Sequence, residues 1–313
     1  MACSDLTPLS TGLLDPARTA ARLPWALLVE EIIRLLNDGS VQVPPRLVLA
    51  LPGGSSLFVM PALDAHTAIT KLITFTPTNA GRGLATIQGD VVVFDVATGQ
   101  RQLVLDGPTV TARRTAAVSL LAAQRLAPRP QGPLLIVGAG VQGLAHLEAF
   151  AEGLEIREVF IASRGAAGAL ALAQHAQALG LKARVVPDPD AALADCPITV
   201  TCTPAHGVAL GALPRRDAFI AAVGAFTPQM VELSLQLCRH VVSHSTVVVD
   251  TPDAVHEAGD LLQAGLDVAS FASLADVIRN QVLPTTGPVL FKSCGWAGWD
   301  LAAARTALAC TDL

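Results

Sequence analysis

The sequence predicts an α/β protein in which a Rossmann-type parallel sheet domain is joined to an α+β domain. Two observations carry this prediction. The short apolar run Leu134–Val137 leads directly into the glycine-rich segment Gly138–Gly143, and a helical pattern follows; this is the order of a dinucleotide-binding strand, turn and helix. From Leu134 onward, apolar runs alternate with helical segments, which is typical of a parallel sheet with right-handed crossovers.

The residues before Leu134 have a different pattern, in which strands are frequent and a helix stands at each end. Apolar spacing and turn residues predict these elements: a helix over Pro24–Asn37, short strands within Val41–Met60 around Pro52-Gly53-Gly54, a strand over Ala68–Phe75, a loop over Thr76–Thr86, a hairpin of Gln88–Val96 and Gln102–Leu105, and a helix over Thr109–Leu126. The segment Pro128–Pro133 then predicts a linker.

The second part of the chain continues the strand and helix alternation. It predicts strands over Glu158–Ala162, Ala183–Val186, Ile198–Thr203 and Ala218–Val223 and within His240–Val249, and helices over Gly168–Leu179 and Pro189–Asp195. The tail, Leu290–Leu313, predicts a turn and an alanine-rich helix over Asp300–Cys310. Because this tail is too short for a domain, we expect it to pack on the first part. The predicted domains are 1–127 completed by 289–313, and 128–288.

The composition limits the classes of function. With 313 residues, 51% hydrophobic and 15% charged, the chain can bury a sizeable core. A net charge of −5 and only three lysines argue against a nucleic-acid partner. No apolar run reaches the roughly 18 residues of a membrane span, and the N-terminus lacks the charged and apolar regions of a secretory signal. We therefore expect a cytoplasmic protein with no membrane partner.

The cysteine, histidine and tyrosine contents bear on disulfide formation, metal binding and the identity of a proton donor. The six cysteines form no CxxC pair and the seven histidines no HExxH motif, so we expect reduced thiols and no bound metal. The chain has no tyrosine. Any dehydrogenase mechanism that uses a tyrosine as its proton donor is thereby excluded.

The segment Gly138-x-Gly140-x-x-Gly143 indicates where a dinucleotide binds. In this motif the first glycine permits the turn, the second lets the pyrophosphate approach the backbone, and the third lets the helix pack closely on the strand. Val141 and Gln142 begin the helix, whose free N–H groups and positive dipole end favour phosphate. A tight turn with no ligand has the same pattern, so the motif alone leaves that alternative open.

The end of the second predicted strand bears on the choice of nucleotide. A carboxylate about 20 residues past the glycines would accept from the ribose 2′-hydroxyl of NAD, but here the strand ends in Ala162-Ser163-Arg164. Ser163 and Arg164 can instead hold a 2′-phosphate, so we predict that NADPH is preferred and that NADH is tolerated. The other interpretation of Arg164 is a solvated surface charge.

Cations in apolar surroundings are candidates for substrate binding. Lys71 stands inside an apolar strand pattern, and a buried ammonium needs a partner or an anionic ligand unless it points to the solvated face. Arg46 opens the apolar run Leu47–Leu51, and Arg113-Arg114 stand in an otherwise neutral helix, where one of the two can face the sheet. Each arginine can equally be a surface charge. Together, these cations suit a small anionic substrate such as an amino or imino acid.

These residues are part of a longer ordered set that resembles the ornithine cyclodeaminase/μ-crystallin family from about residue 40 to the end of the chain. Because it extends over nearly the full length, the set is far more specific than the glycine motif alone. Its segments are Pro45-Arg46, Lys71, Thr111-x-x-Arg114-Thr115-Ala116-Ala117, Gly138–Gly143, Thr201-x-Thr203-Pro204, Ala222–Ala225, Val249-Asp250, Glu257–Asp260 and Phe291-Lys292-Ser293-x-Gly295.

The resemblance implies a fold and roles for particular residues. It implies a Rossmann domain and a dimerisation/substrate domain made from the N-terminal part and the C-terminal helix, and hence a homodimer. It implies that Arg46, Lys71 and Arg114 surround the substrate carboxylate and the reacting centre, with Lys71 catalytic, and so it selects Arg114 over Arg113. The residues expected at the nicotinamide lie at strand or loop ends: Thr203, Val223, Gly224 and Ser293.

One position departs from the family pattern. Ornithine cyclodeaminases resemble each other in a Gly-Ala-Asp segment whose acid handles the ornithine amine, whereas this chain has Gly224-Ala225-Phe226. A phenyl ring cannot accept a proton, so Phe226 argues against cyclodeaminase activity. Phe226 is expected to form an apolar wall for a cyclic imine, unless it only packs in the core.

This segment resembles the branch of the family that reduces cyclic imino acids. The implied reactions convert Δ1-pyrroline-2-carboxylate to L-proline and Δ1-piperideine-2-carboxylate to L-pipecolate, with hydride from NADPH or NADH. Three other hypotheses stay open at this point: an amino-acid dehydrogenase similar to alanine dehydrogenase, an ornithine cyclodeaminase despite Phe226, and a non-enzymatic NADPH-binding protein similar to μ-crystallin.

Overall fold

A computed structural model describes residues 12–204, 206–281 and 287–310, except for the side chains of Ala80 and His206. These residues form two compact units. The first unit contains the described residues of 1–31, 38–114 and 297–313, and the second contains those of 32–37 and 115–296. No helix in the described part of the chain is long and apolar enough to cross a membrane.

The structure contains most of the predicted helices and strands, together with several short ones that the sequence pattern did not predict. The helices are α1 (Pro16–Ala21), α2 (Trp25–Leu36), α3 (Gly107–Leu126), α4 (Val141–Gly153), α5 (Ala166–Ala178), α6 (Pro189–Leu193), α7 (Leu235–His244), α8 (Gly259–Gln263), α9 (Leu274–Ile278) and α10 (Ala297–Ala309). The strands are β1 (Leu47–Leu51), β2 (Ser55–Leu63), β3 (Thr67–Phe75), β4 (Ile87–Asp95), β5 (Arg101–Asp106), β6 (Leu134–Val137), β7 (Glu158–Ala162), β8 (Lys182–Val185), β9 (Ile198–Thr201), β10 (His206–Leu210), β11 (Phe219–Ala222), β12 (Val231–Leu233), β13 (Thr246–Val249), β14 (Ala272–Ser273) and β15 (Val289–Lys292).

The first unit is built on an antiparallel sheet with the strand order β1-β2-β3-β4-β5. Successive side chains of a strand point to opposite faces, and in β3 the residues Ile69, Lys71 and Ile73 are buried while Leu72 is exposed. The helix α10 packs on β2 and β3. Lys71 therefore points to the buried face of its strand and away from the solvated face.

The second unit contains a parallel sheet in which eight strands are described, in the order β14-β13-β15-β11-β9-β6-β7-β8. Each pairing in this sheet is parallel. The central strand β6 has all four residues buried, as expected for a strand with helices on both faces. The predicted α/β fold, with a Rossmann-type parallel sheet and an antiparallel sheet in a separate unit, is confirmed.

One difference from the sequence interpretation is β15. The sequence interpretation assigned 289–313 to the first domain, but β15 pairs with β11 and β13 inside the parallel sheet, and the division between the units falls after Trp296. A four-residue apolar run has no length or periodicity that distinguishes a strand from the start of a tail. Only its pairing with β11 and β13 identifies its place.

A second difference concerns the predicted strand within His240–Val249. His240–His244 are helical, as the end of α7, and only Thr246–Val249 form the strand. The Ser234 side chain accepts a hydrogen bond from the Leu237 backbone N–H and caps the helix, which is the usual role of serine at this position. The valines at the end of α7 favour strands in isolation, and the capped, packed helix overrides that preference.

Candidate active site

The clearest cluster of charges in the first unit surrounds Asp300, a residue that the sequence interpretation did not select. Lys71 on β3 is 1% exposed, and its Nζ donates to Asp300 at 3.1 Å from Oδ1 and 3.3 Å from Oδ2. The Nε of Arg114, on α3, lies 3.3 Å from the same Oδ1. Asp300 itself lies on α10 and is fully buried. We call Arg46, Lys71, Arg114 and Asp300 the cationic cluster.

Burial and neighbouring charges set the pKa of Lys71. Loss of hydration is the main cause that lowers it, the guanidinium groups of Arg114 and Arg46 add to this effect, and Asp300 opposes it, so that the pKa of Lys71 falls from 10.5 to about 8. An ammonium with a pKa near 8 is mostly protonated at neutral pH and releases its proton readily. Lys71 is therefore suited to proton transfer in a way that an exposed lysine is not.

The two arginines of the cluster present donors to an anion. Arg114 is buried, and its Nε makes no hydrogen bond with any residue that the structure describes, despite the nearby Asp300. Arg46 is half-buried just before β1, with its guanidinium carbon 5.8 Å from the centre of the Phe58 ring. The cluster contains three basic side chains and one carboxylate, which leaves positive charge for a substrate carboxylate.

Arg113 has a different role from its neighbour Arg114. Its guanidinium carbon lies 3.8 Å from the centre of the Trp25 ring, and its Nε donates to the Leu23 carbonyl at 2.8 Å. These contacts hold α3 against the start of α2 within the first unit. The structure thus places Arg114 beside Lys71 and Asp300, and Arg113 elsewhere.

Asp300 could have been found from one signal in the sequence. It stands among the small and apolar residues AGWDLAAARTALA of α10, and a charge in apolar surroundings needs a partner. Its two partners lie far from it along the chain, on β3 and α3, so no local pattern could have identified them.

In the second unit, the three glycines of the turn occupy different environments. Gly138 has a positive φ of 120°, and a Cβ on Gly143 would lie 2.1 Å from the Gly138 carbonyl oxygen. A Cβ on Gly140 would meet nothing within 4 Å. The backbone at Gly140, which precedes α4, is thus open to a close ligand. This arrangement fits a pyrophosphate, because a phosphate oxygen would occupy the space that a Cβ would fill.

The helix α4 begins without a side-chain cap, since Gly140 has no side chain to accept from its first N–H groups. Val141 is 68% exposed at this end and Gln142 is half-buried. Ser163 and Arg164 follow β7, the next strand along the chain, and both are exposed. The residues at this strand end offer a hydroxyl and a guanidinium and no carboxylate.

The remaining predicted cofactor residues lie where the parallel strands end. Thr203 follows β9, Val223 and Gly224 follow β11, and Ser293 follows β15. These strands are neighbours in the sheet, so the carboxyl ends at which nucleotides bind are adjacent. Phe226 lies on the loop after β11 and is half-buried.

Ser293 is held by the buried carboxylate of Asp250, to which the sequence interpretation assigned no role beyond the family pattern. Its Oγ donates to Asp250 Oδ2 at 2.9 Å, and the same oxygen accepts from the Cys294 and Gly295 backbone N–H groups. Because the Ser293 proton is directed to Asp250, the hydroxyl oxygen presents lone pairs to other groups. This arrangement suits a donor such as the amide of a nicotinamide.

Metal chemistry has no candidate site in the part of the chain that the structure describes. No group of three or more His, Cys, Asp or Glu side chains there could hold a metal ion. The described thiols of Cys196, Cys202, Cys238, Cys294 and Cys310 form no disulfide.

Comparison with known proteins identifies the family that the chain matches. Residues 22–308 match the Ornithine cyclodeaminase/mu-crystallin family. The chain is 39% identical to Delta(1)-pyrroline-2-carboxylate reductase 1 of Burkholderia multivorans, over 96% of this chain and 97% of that protein. It is 38% identical to Delta(1)-pyrroline-2-carboxylate/Delta(1)-piperideine-2-carboxylate reductase of Azospirillum brasilense, over 94% of both.

A solved structure has the same fold. It is that of Thermococcus litoralis Delta(1)-pyrroline-2-carboxylate reductase in complex with NADH and L-proline. The TM-score is 0.87 at 24% identity, and the match covers 94% of this chain and 95% of that one.

Proposed function

We propose, from the premise that this chain belongs to the ornithine cyclodeaminase/mu-crystallin family, that it reduces cyclic ketimines with a nicotinamide cofactor. The match over residues 22–308 and the full-length relatives establish the membership. The reactions are those of Δ1-pyrroline-2-carboxylate to L-proline and of Δ1-piperideine-2-carboxylate to L-pipecolate, as the names of the two relatives state for those proteins. The chain is thus an oxidoreductase that acts on a CH–NH group.

The observation that carries the proposal is the buried ion pair of Lys71 and Asp300 with Arg114 beside it. A cyclic imino acid has one carboxylate and one C=N nitrogen close together. In the proposed complex Arg46 and Arg114 bind the carboxylate, and Lys71 holds a proton at the imine nitrogen, directly or through a water. Asp300 orients the Lys71 ammonium and partly offsets the cost of burying it.

Protonation and reduction together account for the product. A protonated C=N carbon is more electrophilic than a neutral one, so the proton from Lys71 prepares the carbon for attack. When it is bound, the nicotinamide supplies the hydride that this carbon accepts, and the bond becomes CH–NH. Because the arginines fix the carboxylate, the reacting carbon is held in one orientation.

The cofactor residues extend the proposal to the second unit. We assign the pyrophosphate to Gly138, Gly140 and Gly143 with the first residues of α4, the 2′-phosphate to Ser163 and Arg164, and the nicotinamide to the strand-end residues Thr203, Val223, Gly224 and Ser293. The open backbone at Gly140 supports a bound dinucleotide. The lack of a carboxylate after β7 supports NADPH as the preferred cofactor, with NADH also accepted.

Phe226 separates this activity from that of an ornithine cyclodeaminase. A phenyl ring neither accepts a proton nor binds an amine as a carboxylate does. We assign it to the apolar side of the substrate ring. Amino-acid dehydrogenation and non-enzymatic NADPH binding are the other candidate functions, and the intact cationic cluster argues against the second.

We further propose that the protein is a homodimer in which β1 pairs with a second copy. The strand β1 is at one end of the sheet order described for the first unit, and its Leu47, Val48 and Leu49 are 53%, 46% and 45% exposed. An exposed apolar edge strand is a template for pairing with another chain. Light scattering should give twice the chain mass, and Val48→Lys should shift it to one chain mass; a monomeric wild type would contradict the pairing.

The experiment that tests the activity is a substrate panel with the purified protein. NADPH oxidation is measured with Δ1-pyrroline-2-carboxylate, Δ1-piperideine-2-carboxylate and pyruvate plus ammonia, and ammonia release is measured with L-ornithine. The proposal predicts oxidation with the cyclic imines and no ammonia from L-ornithine. Activity only with pyruvate and ammonia would instead identify an amino-acid dehydrogenase, and NADPH binding without any turnover a non-enzymatic protein.

A further inference from the structure

A buried glutamate joins two of the strand-end loops in the second unit. Glu232 lies on the short strand β12 and is fully buried. Its Oε1 accepts from the Thr203 backbone N–H at 2.5 Å, and its Oε2 accepts from the Gly224 N–H at 2.7 Å and from the Thr201 hydroxyl at 3.1 Å. One carboxylate thus binds the loop after β9 and the loop after β11.

The position of Glu232 is itself fixed by Asp260 on α8, which is paired with a residue of a third strand. Asp260 Oδ1 accepts from the backbone N–H groups of Glu232 and Leu233 at 2.6 and 2.9 Å, and Asp260 Oδ2 forms an ion pair with Lys292 Nζ at 2.8 Å. Lys292 is the last residue of β15 and precedes Ser293. The network therefore connects the ends of β9, β11 and β15, and each of its charged members is fully buried.

The fit around this carboxylate is close. A Cβ on Gly224 would lie 2.4 Å from Glu232 Oε1 and 2.2 Å from the Thr203 carbonyl oxygen, so only glycine allows the two loops to approach this closely. A buried charge is costly, and N–H groups at strand ends in loops can often bind water instead. A fixed carboxylate at this place indicates that the relative position of the two loops matters.

We infer that Glu232 is a positioning residue for the nicotinamide half of the cofactor: by accepting from Thr203 and Gly224, it sets the spacing of the two loops against which the nicotinamide binds. The inference rests on the proposed function, because that function places the nicotinamide at these loops. Glu232 touches neither cofactor nor substrate in this scheme and acts only through the backbone of Thr203 and Gly224.

The variant Glu232→Gln has the same size and removes one of the two acceptors. An amide oxygen can replace one carboxylate oxygen, but the amide nitrogen is a donor and would face a backbone N–H. One loop would lose its anchor, and we expect the Kd and the KM for NADPH to rise about tenfold, with a smaller change in kcat, because a charge-assisted hydrogen bond is lost.

Lowering the pH should likewise weaken the binding of NADPH to the wild-type protein. Burial raises the pKa of Glu232 above its usual value, and the Lys292 ammonium opposes this. The other titratable groups facing it are Asp260 and the Cys202 thiol. A protonated Glu232 accepts poorly from two N–H groups, so NADPH affinity should fall as the pH falls, and Glu232→Gln should lack that part of the dependence.

Asp190 provides a matched control in the same unit. Its Oδ1 accepts from the successive backbone N–H groups of Gly211 and Ala212 at 2.7 and 3.0 Å, on the loop after β10. Asp190→Asn thus perturbs a carboxylate that anchors a loop without a predicted cofactor residue. Kd for NADPH is measured by fluorescence from pH 5.5 to 8 for wild type, Asp190→Asn, Glu232→Gln and Glu232→Asp, and thermal melts report folding.

The expected result is a weakened, less pH-dependent affinity in Glu232→Gln, an affinity in Glu232→Asp that is weakened but still pH-dependent, and no change in Asp190→Asn. Titration of the 2′-phosphate is common to all proteins and cancels in the comparison. Equal affinities and pH profiles in wild type and Glu232→Gln would overturn the inference, as would the failure of both Glu232 variants to fold. A wild type that binds NADPH but reduces no imine would refute only the proposed activity.

Discussion

Lys71 and Asp300 form a buried ion pair in which the ammonium nitrogen lies 3.1 Å from one carboxylate oxygen and 3.3 Å from the other. Lys71 lies on the strand β3, and Asp300 lies on the helix α10. The pair holds a protonated amine in an apolar interior, next to Arg114, whose Nε lies 3.3 Å from the same carboxylate. This combination is unnecessary for a cofactor-binding scaffold and is what reduction of an anionic imine requires.

Removing the Lys71 ammonium should abolish turnover. The variant Lys71→Met keeps the length of the side chain and removes its proton, so kcat for either cyclic imine should fall at least about 100-fold, within the usual contribution of a general acid. The Kd for NADPH should stay unchanged. The control is Lys182→Met, at an exposed lysine of β8, which should retain full activity. Wild-type turnover in Lys71→Met would exclude the assigned role.

Asp300 should set the upper pH limit of the reaction. Activity needs protonated Lys71, so kcat/KM should decline as the pH rises through about 8, the value to which burial and neighbouring charges bring the pKa of Lys71. The Asp300 charge raises this pKa. The variant Asp300→Asn should therefore lower it, and the decline should begin at a lower pH.

The matched control for Asp300 is Glu31→Gln. Glu31 is also a buried acid of the first unit, and it is paired with Arg305 at 2.8 Å. The substitution of Glu31 should leave the pH dependence of kcat/KM unchanged. A decline in Asp300→Asn that begins at the wild-type pH or above it would disprove the coupling between Asp300 and Lys71.

Two glycines of the turn should respond differently to substitution, one in cofactor binding and the other in stability. A Cβ on Gly140 would meet no atom within 4 Å, whereas a Cβ on Gly143 would collide with the Gly138 carbonyl. Gly140→Ala should therefore melt like the wild type and lose NADPH affinity, because the methyl group occupies the pyrophosphate position. Gly143→Ala should lower the melting temperature itself.

Gly207, on β10, serves as the control for Gly140, since its Cβ would also meet nothing within 4 Å. The variant Gly207→Ala should keep both its melting temperature and its Kd for NADPH. Unaltered NADPH binding in Gly140→Ala would place the pyrophosphate elsewhere.

Arg164 should determine the preference for NADPH. The variant Arg164→Ala should lower the ratio of kcat/KM with NADPH to that with NADH about tenfold, the size expected for one charge-assisted hydrogen bond to a phosphate. Arg184→Ala is the control, since Arg184 is a neighbouring exposed arginine paired with Glu158 at 2.9 Å. If the ratio is the same in all three proteins, Arg164 is only a surface charge.

Local patterns in the sequence were sufficient to predict the two kinds of sheet and most of the longer helices and strands. The strand before Gly138, the glycine turn and α4 follow from residues that are adjacent in the chain. The pattern around Lys71 left open whether this side chain faces the core or the solvent, and its burial is known from the structure. The strand β15 could not be placed, because four apolar residues carry no periodicity, and its position depends on pairing with β11 and β13.

The partners of the candidate site residues could not be predicted in the same way. Asp300 meets Lys71 across 229 positions of the chain. Glu232 lies on a strand of three residues, which is too short to have a recognisable pattern. Both acids are defined by the distant groups that they contact, and only the folded chain brings those groups together.

The most direct test of the central claim follows the hydride itself. The purified protein is incubated with Δ1-pyrroline-2-carboxylate and NADPH that carries deuterium at both C4 positions, and the proline formed is analysed by mass spectrometry and chiral chromatography. We predict L-proline with one deuterium at C2. Proline without deuterium, or no proline at all while NADPH remains intact, would contradict the assignment of this chain as a ketimine reductase.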